Sequence, residues 1–348
     1  MTEPARLDRG VVACSPLAPL PRIAARAAPA PADFAALVTA GIPVVIKGLI
    51  DDWVALAAGR HSPGRLNAYL AGLDRGTPVP VMEAPARARG RFAYRADMRE
   101  FTFTKRHAPL RSTLARIEGL IGQDNVPTIA IQMLTLADAL PDFVRQNPMP
   151  LLPADVGPKL WLGGAVKTQT HNDRDHGLAC VIAGRRRFTL FPPGQVANLY
   201  IGPLDNPPPL SLVDPEDPDF GRFPRFRDAL AAARVATLDP GDAIFIPRYW
   251  WHHVASLDPY NAMVNYWWGD AATGVESPNT IFLAALLALK QLPPGERAYW
   301  RAMFDTHVFG DPDVSAAHIP AALRGALGPM RPDEHAALRR QLTAAFRA

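Results

Sequence analysis

The chain has 348 residues, 48% hydrophobic and 20% charged, an ordinary globular composition too long for one compact core without extensions. Its net charge of +4 points to no nucleic-acid partner, and no DNA-binding motif is seen. The apolar runs are broken by Pro, Gly or charge, so none is expected to cross a membrane.

Residues 1–31 are rich in Ala, Pro and Arg without a clear period and read as a loosely docked arm, with charge near the start and no apolar signal core. Asp33 is the expected N-cap of a short helix ending at Gly41, and PVVIKG after it a strand closed by Gly48. The spacing predicts a helix over 65–73, a strand at PVPVM and a helix over 111–120. Seven strands should follow: TIAIQM (128–133), KLWLGG (159–164), LACVIAG (178–184), RRFTLFP (186–192), VATLDPG (235–241), AIFIP (243–247) and AMVNYWW (262–268). Short strands between turn residues argue for a barrel or sandwich. A Pro-rich loop over 202–226 is long enough to cover a site. Helices are expected over 281–292, 295–309 and 334–346, with an apolar face that the core or a second subunit must cover. There is no internal repeat. Cys14 and Cys180 fit no zinc spacing and no disulfide framework, which suits a reducing, cytoplasmic setting.

Two stretches concentrate chemistry. In Thr168-Gln169-Thr170-His171-Asn172-Asp173, residues 171 and 173 on a strand would aim an imidazole and a carboxylate at one point. Taken alone, a His-x-acid triplet is expected by chance in a chain of this composition, and a surface turn in HNDRDH is the commoner reading. In IPRYWWHHV (246–254) two His follow two Trp at the end of an apolar strand, where a buried imidazole needs partners for its nitrogens. Two His and one carboxylate form the facial triad of non-haem Fe(II) oxygenases, with positions left open for substrate and dioxygen. Either His252 or His253 serves equally on these grounds. Asp175 and His176 are weaker alternatives, and Asp242 reads as a turn residue. Arg185 and Arg187 should point outward as solvated charge.

The order H-x-D, G-x-R-R before FPP, FPRF, PGD-x-x-x-IP-x-YWWHH and VNYWW resembles the cupin-like JmjC hydroxylases, such as the asparaginyl hydroxylase that inhibits hypoxia-inducible factor. The likeness runs from Phe34 to Trp268 and rests on the combination, not on any one piece. It implies a mainly β fold, a double-stranded β-helix (cupin or jelly-roll) barrel with flanking helices over 32–270, and a C-terminal helical extension over 271–348 that makes a homodimer. It implies Fe(II) on His171, Asp173 and His252, the first His after the Trp pair, with 2-oxoglutarate and dioxygen as co-substrates. The far carboxylate of 2-oxoglutarate would be held by Thr168 and by Arg186, where the family usually has Lys; Arg keeps the charge but is bulkier. Gln132, Asn265 and Trp267 fall where relatives contact co-substrate or close the barrel, and Trp250 and Trp251 are further candidate walls. The tyrosine that relatives carry two residues before Gln132 is Ala130 here.

The implied reaction couples decarboxylation of 2-oxoglutarate to hydroxylation of a C–H bond in a protein, RNA or small-molecule substrate. Two other readings compete: a cupin metalloenzyme that does not use 2-oxoglutarate, and a non-catalytic barrel acting as a binding or scaffold protein.

Overall fold

A computed structural model describes residues 17, 20–95, 97–204, 209–269 and 278–346, so Cys14 and most of the N-terminal arm lie outside the described residues. The chain divides into two compact units, Met1–Gly269 and Asp270–Ala348.

The strands of the first unit are β1 (Ala25–Ala27), β2 (Val44–Lys47), β3 (Val79–Ala84), β4 (Arg91–Phe92), β5 (Thr104–Ala108), β6 (Thr128–Thr135) and β7 (Lys159–Gly163). They continue with β8 (Lys167–His171), β9 (His176–Ala183), β10 (Arg186–Phe191), β11 (Arg234–Leu238), β12 (Ala243–Ile246), β13 (Trp251–Ser256) and β14 (Asn261–Trp268). A major sheet runs β1-β2-β12-β9-β14-β7-β6-β3-β5, and a minor sheet runs β11-β10-β13-β8-β4. All seven expected strands form, six of them within two residues of their expected ends; β11 stops at Leu238, three residues short of the expected 241.

Period-two alternation decides which layer each side chain enters. Along β9, Ala179 and Val181 face the minor sheet, where they meet Phe188, Leu190, Val254, Ile244 and Met263. Leu178, Cys180 and Ile182 face the other way, into a larger core with Phe34, Leu56, Leu66, Leu70, Leu114 and Phe143 from the flanking helices. The outer face of the minor sheet has its own core of Phe191, Leu199, Val213, Phe226 and Trp251. Two facing sheets with helices on the larger one form the cupin barrel that the motif order implied.

Three local expectations change. The first helix is Pro31–Ala40 with Ala30 at its cap; Asp33 sits in the first turn, where its charge favours the helix dipole instead. Gly41 does end it, with φ 62°. Part of the supposed arm is ordered: β1 pairs in parallel with β2 at the edge of the major sheet. The described part of the Pro-rich loop docks on the outer face of the minor sheet. The Gln169 amide donates to the carbonyls of Ser211 (2.9 Å) and Val213 (2.6 Å), and the Ser211 N–H donates to Thr170 O (2.8 Å).

Glu216 in this strap pairs with both Lys167 and Arg187, so Arg187 points outward as expected but is not solvated. Arg185, in the turn before β10, is exposed and pairs with Asp258. Burial alone would push the Glu216 carboxyl up; Lys167, His253 and Arg187 outweigh it and hold it below the usual carboxylate range. Its folded pKa therefore lies below the unfolded one. The stabilisation is complete above the unfolded value and fades as pH falls through the folded value. Glu216→Gln is expected to cost about 2–3 kcal/mol in urea unfolding at neutral pH, with the gap to wild type closing in acid. A gap independent of pH would show that the ion pairs contribute nothing.

In the second unit the helices Pro278–Leu289, Pro294–His307 and Pro332–Ala345 form where expected. None has a buried residue, and Phe282, Leu287, Tyr299 and Trp300 are exposed.

Candidate metal centre

β13 is a separate strand that begins at Trp251, after a turn that follows β12. The His pair thus opens a strand instead of closing one. His252 is the Cα partner of His171 on β8 and of Leu190 on β10. Partners in an antiparallel ladder share a face, so His252, Leu190 and His171 look into the barrel. His253 looks out to the strap side, opposite Thr189.

Asp173 is not on the strand, because β8 ends at His171. Two bonds hold it instead. The Tyr249 N–H donates to Asp173 O at 2.8 Å, and the Trp267 indole donates to Asp173 Oδ2 at 3.0 Å. Tyr249 adopts φ 67°, a rare conformation for a bulky side chain, in the turn that leads into β13. Asp173 Oδ2 lies 3.6 Å from His252 Nε2, and the two imidazole centroids are 4.3 Å apart. One ligand atom from each of His171, Asp173 and His252 falls within 4.8 Å of the others; among the described residues no other trio of His, Cys, Asp or Glu converges in this way.

The ring orientations are fixed from behind. His171 Nδ1 lies 2.8 Å from Gln169 O, and His252 Nδ1 lies 3.0 Å from Trp250 O. A carbonyl only accepts, so each Nδ1 carries the proton, and in the neutral ring the Nε2 lone pair is free for a metal. Burial, and then His171, push His252 down to about 4, so it is neutral at physiological pH. Burial pushes Asp173 up, but the two imidazoles and the indole outweigh it and keep the carboxylate ionised.

Beyond the trio, the ladders set polar side chains on the inward faces of both walls. Val254 pairs with Thr168 and Ser256 with Arg186, on the face of His252. On the opposite wall, Met263 pairs with Trp161 and Asn265 with Lys159, on the face of Trp267. Arg186 is 7% exposed, and burial pushes its guanidinium down to about 10. Its Nε has no hydrogen-bond partner and, among the described residues, no carboxylate pairs with it. Trp161 Nε1 and Asn265 Oδ1 are likewise buried without partners. Gln132 is buried on the barrel side of β6, in a bulge opposite Trp161.

A family model described as a cupin-like domain matches residues 30–274. The chain belongs to the cupin-like domain family. Its curated relatives include HSPB1-associated protein 1 of Bos taurus, 35% identical over 147 residues, which is 40% of this chain and 30% of that protein. Lysine-specific demethylase JMJ31 of Arabidopsis thaliana is 37% identical over 110 residues, 31% of this chain and 20% of that protein. Lysine-specific demethylase 8 of Xenopus tropicalis is 33% identical over 111 residues, 31% and 24% respectively. The match thus spans less than a third of each of these relatives.

Within this cupin-like barrel the donor set fits a divalent metal with open positions. The orphaned polar atoms fit a ligand that brings its own negative charge. Other candidates fall away. His176 packs between Phe245 and Trp268, with its Nδ1 accepting from Arg248 N, and Asp175 is exposed. Asp242 is the turn residue expected, donating its N–H to Asp239 O and accepting from Asp239 N, and its buried carboxylate also pairs with Lys47. Trp251 packs outside the barrel with Phe191, whereas Trp250 packs on the barrel side. Ser256, Trp161 and Lys159 were not singled out in the sequence; ladder parity with Arg186, Met263 and Asn265 is the signal that finds them.

Trp267→Phe keeps the ring and removes the proton donated to Asp173. Loss of such an outer partner typically costs 10–100-fold in metal affinity. A drop of roughly tenfold or more is expected in an anaerobic Fe(II) titration, and an unchanged affinity would show that the indole does not orient the carboxylate.

Proposed function

We propose that the chain is an Fe(II)- and 2-oxoglutarate-dependent oxygenase that hydroxylates a C–H bond of a protein substrate. His171, Asp173 and His252 would hold the iron. Thr168, Ser256 and Arg186 would take the far carboxylate of 2-oxoglutarate, with Asn265, Gln132 and Trp161 along its length. When bound, iron supplies the redox chemistry that couples decarboxylation of 2-oxoglutarate to C–H oxidation by dioxygen. The chain's own work is to fix the imidazole tautomers, aim the carboxylate and exclude bulk water between apolar walls.

The observation that carries this reading is Arg186, a buried guanidinium with no counter-anion among the described residues, on the same barrel wall as His252. A plain cupin metalloenzyme has no use for such a charge, and a scaffold barrel has none for the metal trio. Succinate release that needs both Fe(II) and 2-oxoglutarate tests it; turnover of the metal-loaded protein without 2-oxoglutarate favours the plain metalloenzyme, and failure to bind metal favours the scaffold.

The names of the relatives support a protein substrate over RNA or a small molecule. The exposed apolar side chains of the C-terminal helices support a homodimer, expected to sediment at twice 37.8 kDa. A free, buried thiol at Cys180 suits a cytoplasmic location.

A further inference from the structure

We propose that Lys159 and the face of Trp267 form a subsite for a carboxylate carried by the prime substrate, beside the reacting C–H bond; this rests on the oxygenase reading of the metal trio. Lys159 opens β7 as the Cα partner of Asn265. It therefore shares the barrel-facing side of Asn265, Trp267 and Trp161. Its Nζ lies over the Trp267 ring, 5.5 Å from the centroid, and Trp161 meets the same ring edge-on at 6.1 Å. The indole N–H of that ring is bonded to Asp173. One aromatic ring thus separates the lysine cation from the carboxylate of the trio.

Of the other lysines, Lys47 pairs with Asp242 and Lys167 with Glu216, while Lys105, which lies over Phe101 and Phe103, is exposed to solvent. Lys159 is half-buried and, among the described residues, has the tryptophan face and no carboxylate. Asp173 does not supply the missing charge, since its carboxylate faces the two imidazoles and the indole. A cation over an aromatic face beside a reaction centre is well placed to receive an anion that arrives with the substrate.

The co-substrate does not account for Lys159. Arg186 lies on the minor sheet, two inward-facing positions along β10 past Phe188 from Leu190, the partner of His252. Lys159 lies on the major sheet, beside the tryptophan that holds Asp173. A second consequence is exclusion: the ammonium group repels a cationic side chain, so a protonated methyl-lysine is disfavoured here whatever the named demethylases accept. The carboxylate can come from an Asp or Glu side chain of a peptide or from a small free acid.

The test loads the intact protein with Mn(II) in the absence of oxygen and follows tryptophan fluorescence, with and without saturating 2-oxoglutarate. Three probes are titrated: a capped hexapeptide with one aspartate, the same peptide with asparagine, and free N-acetylaspartate. Wild type and Lys159→Arg are expected to bind an aspartate probe at least tenfold more tightly than the asparagine peptide, and Lys159→Met to lose that preference. The stronger of the two aspartate probes identifies the source of the carboxylate. No preference in wild type, or a preference that survives in Lys159→Met, overturns the proposal. So does a Lys159→Met protein that binds 2-oxoglutarate itself more than tenfold less tightly, which would assign the lysine to the co-substrate. Failure of wild type to bind 2-oxoglutarate counts against the oxygenase reading separately, because the probes are also titrated without it.

Discussion

Arg186→Met should weaken 2-oxoglutarate binding by about a hundredfold or more and, at the same time, stabilise the ligand-free protein. Both effects follow from one fact: the guanidinium is buried and, among the described residues, no carboxylate pairs with it. Burial moves its pKa down to about 10, which registers the cost of the charge without discharging the group at neutral pH. Removing one member of a buried charge pair typically costs 2–5 kcal/mol of binding, and about 3 kcal/mol is more than a hundredfold. Without ligand the sign reverses. Replacing even a paired buried ion by apolar side chains of similar volume often stabilises by roughly 1–4 kcal/mol, and an unpaired charge lacks the compensating attraction. Calorimetric titration and urea unfolding of the same variant test the two halves. A variant that is less stable and still binds 2-oxoglutarate normally would make Arg186 an ordinary structural residue.

The second large effect is loss of metal from His252→Ala but not from His253→Ala. The two residues are neighbours in sequence, and both are nearly inaccessible, at 7% and 1% exposure. Only the first shares its face with His171. Loss of an outer partner already costs up to 100-fold in metal affinity, so loss of a ligand is expected to exceed about 100-fold. His171→Ala should match it. The His253→Ala protein should lose stability, since it leaves a cavity on the strap side, yet titrate with Fe(II) as wild type does. The reverse pattern would move the metal to the other side of β13.

The apolar strands were legible because their composition reports burial directly: LACVIAG and AIFIP have no polar side chain and lie in the centre of the major sheet. β5 was not, since Thr104, Lys105, Arg106 and His107 are all exposed and carry no apolar alternation. The candidate trio is legible in the sequence, but strand alternation is not what brings Asp173 beside His171: Asp173 lies past the strand end and is placed by Tyr249 and Trp267, remote in sequence. Nothing local to Arg187 reveals that Glu216, 29 residues away, reaches it, so its outward position alone suggests a solvated charge. Ser256, Trp161 and Lys159 were missed for the same reason: each is ordinary in its own segment and becomes informative only once the ladder shows what stands across from it.

Thr168 and His171 are three apart, an odd interval that a regular strand would split between its two faces. They share one because the ladder steps from His252 to Val254 on β13 while β8 steps from His171 to Thr168, setting Gln169 and Thr170 together against His253. A β8 one residue shorter there could still present both side chains to the cavity. It would forfeit either the Gln169 amide that grips Ser211 and Val213 or the Thr170 residue whose carbonyl receives Ser211. The surplus residue is thus an outward-facing clasp, and the wall's length is set as much by what it fastens outside as by what it presents within.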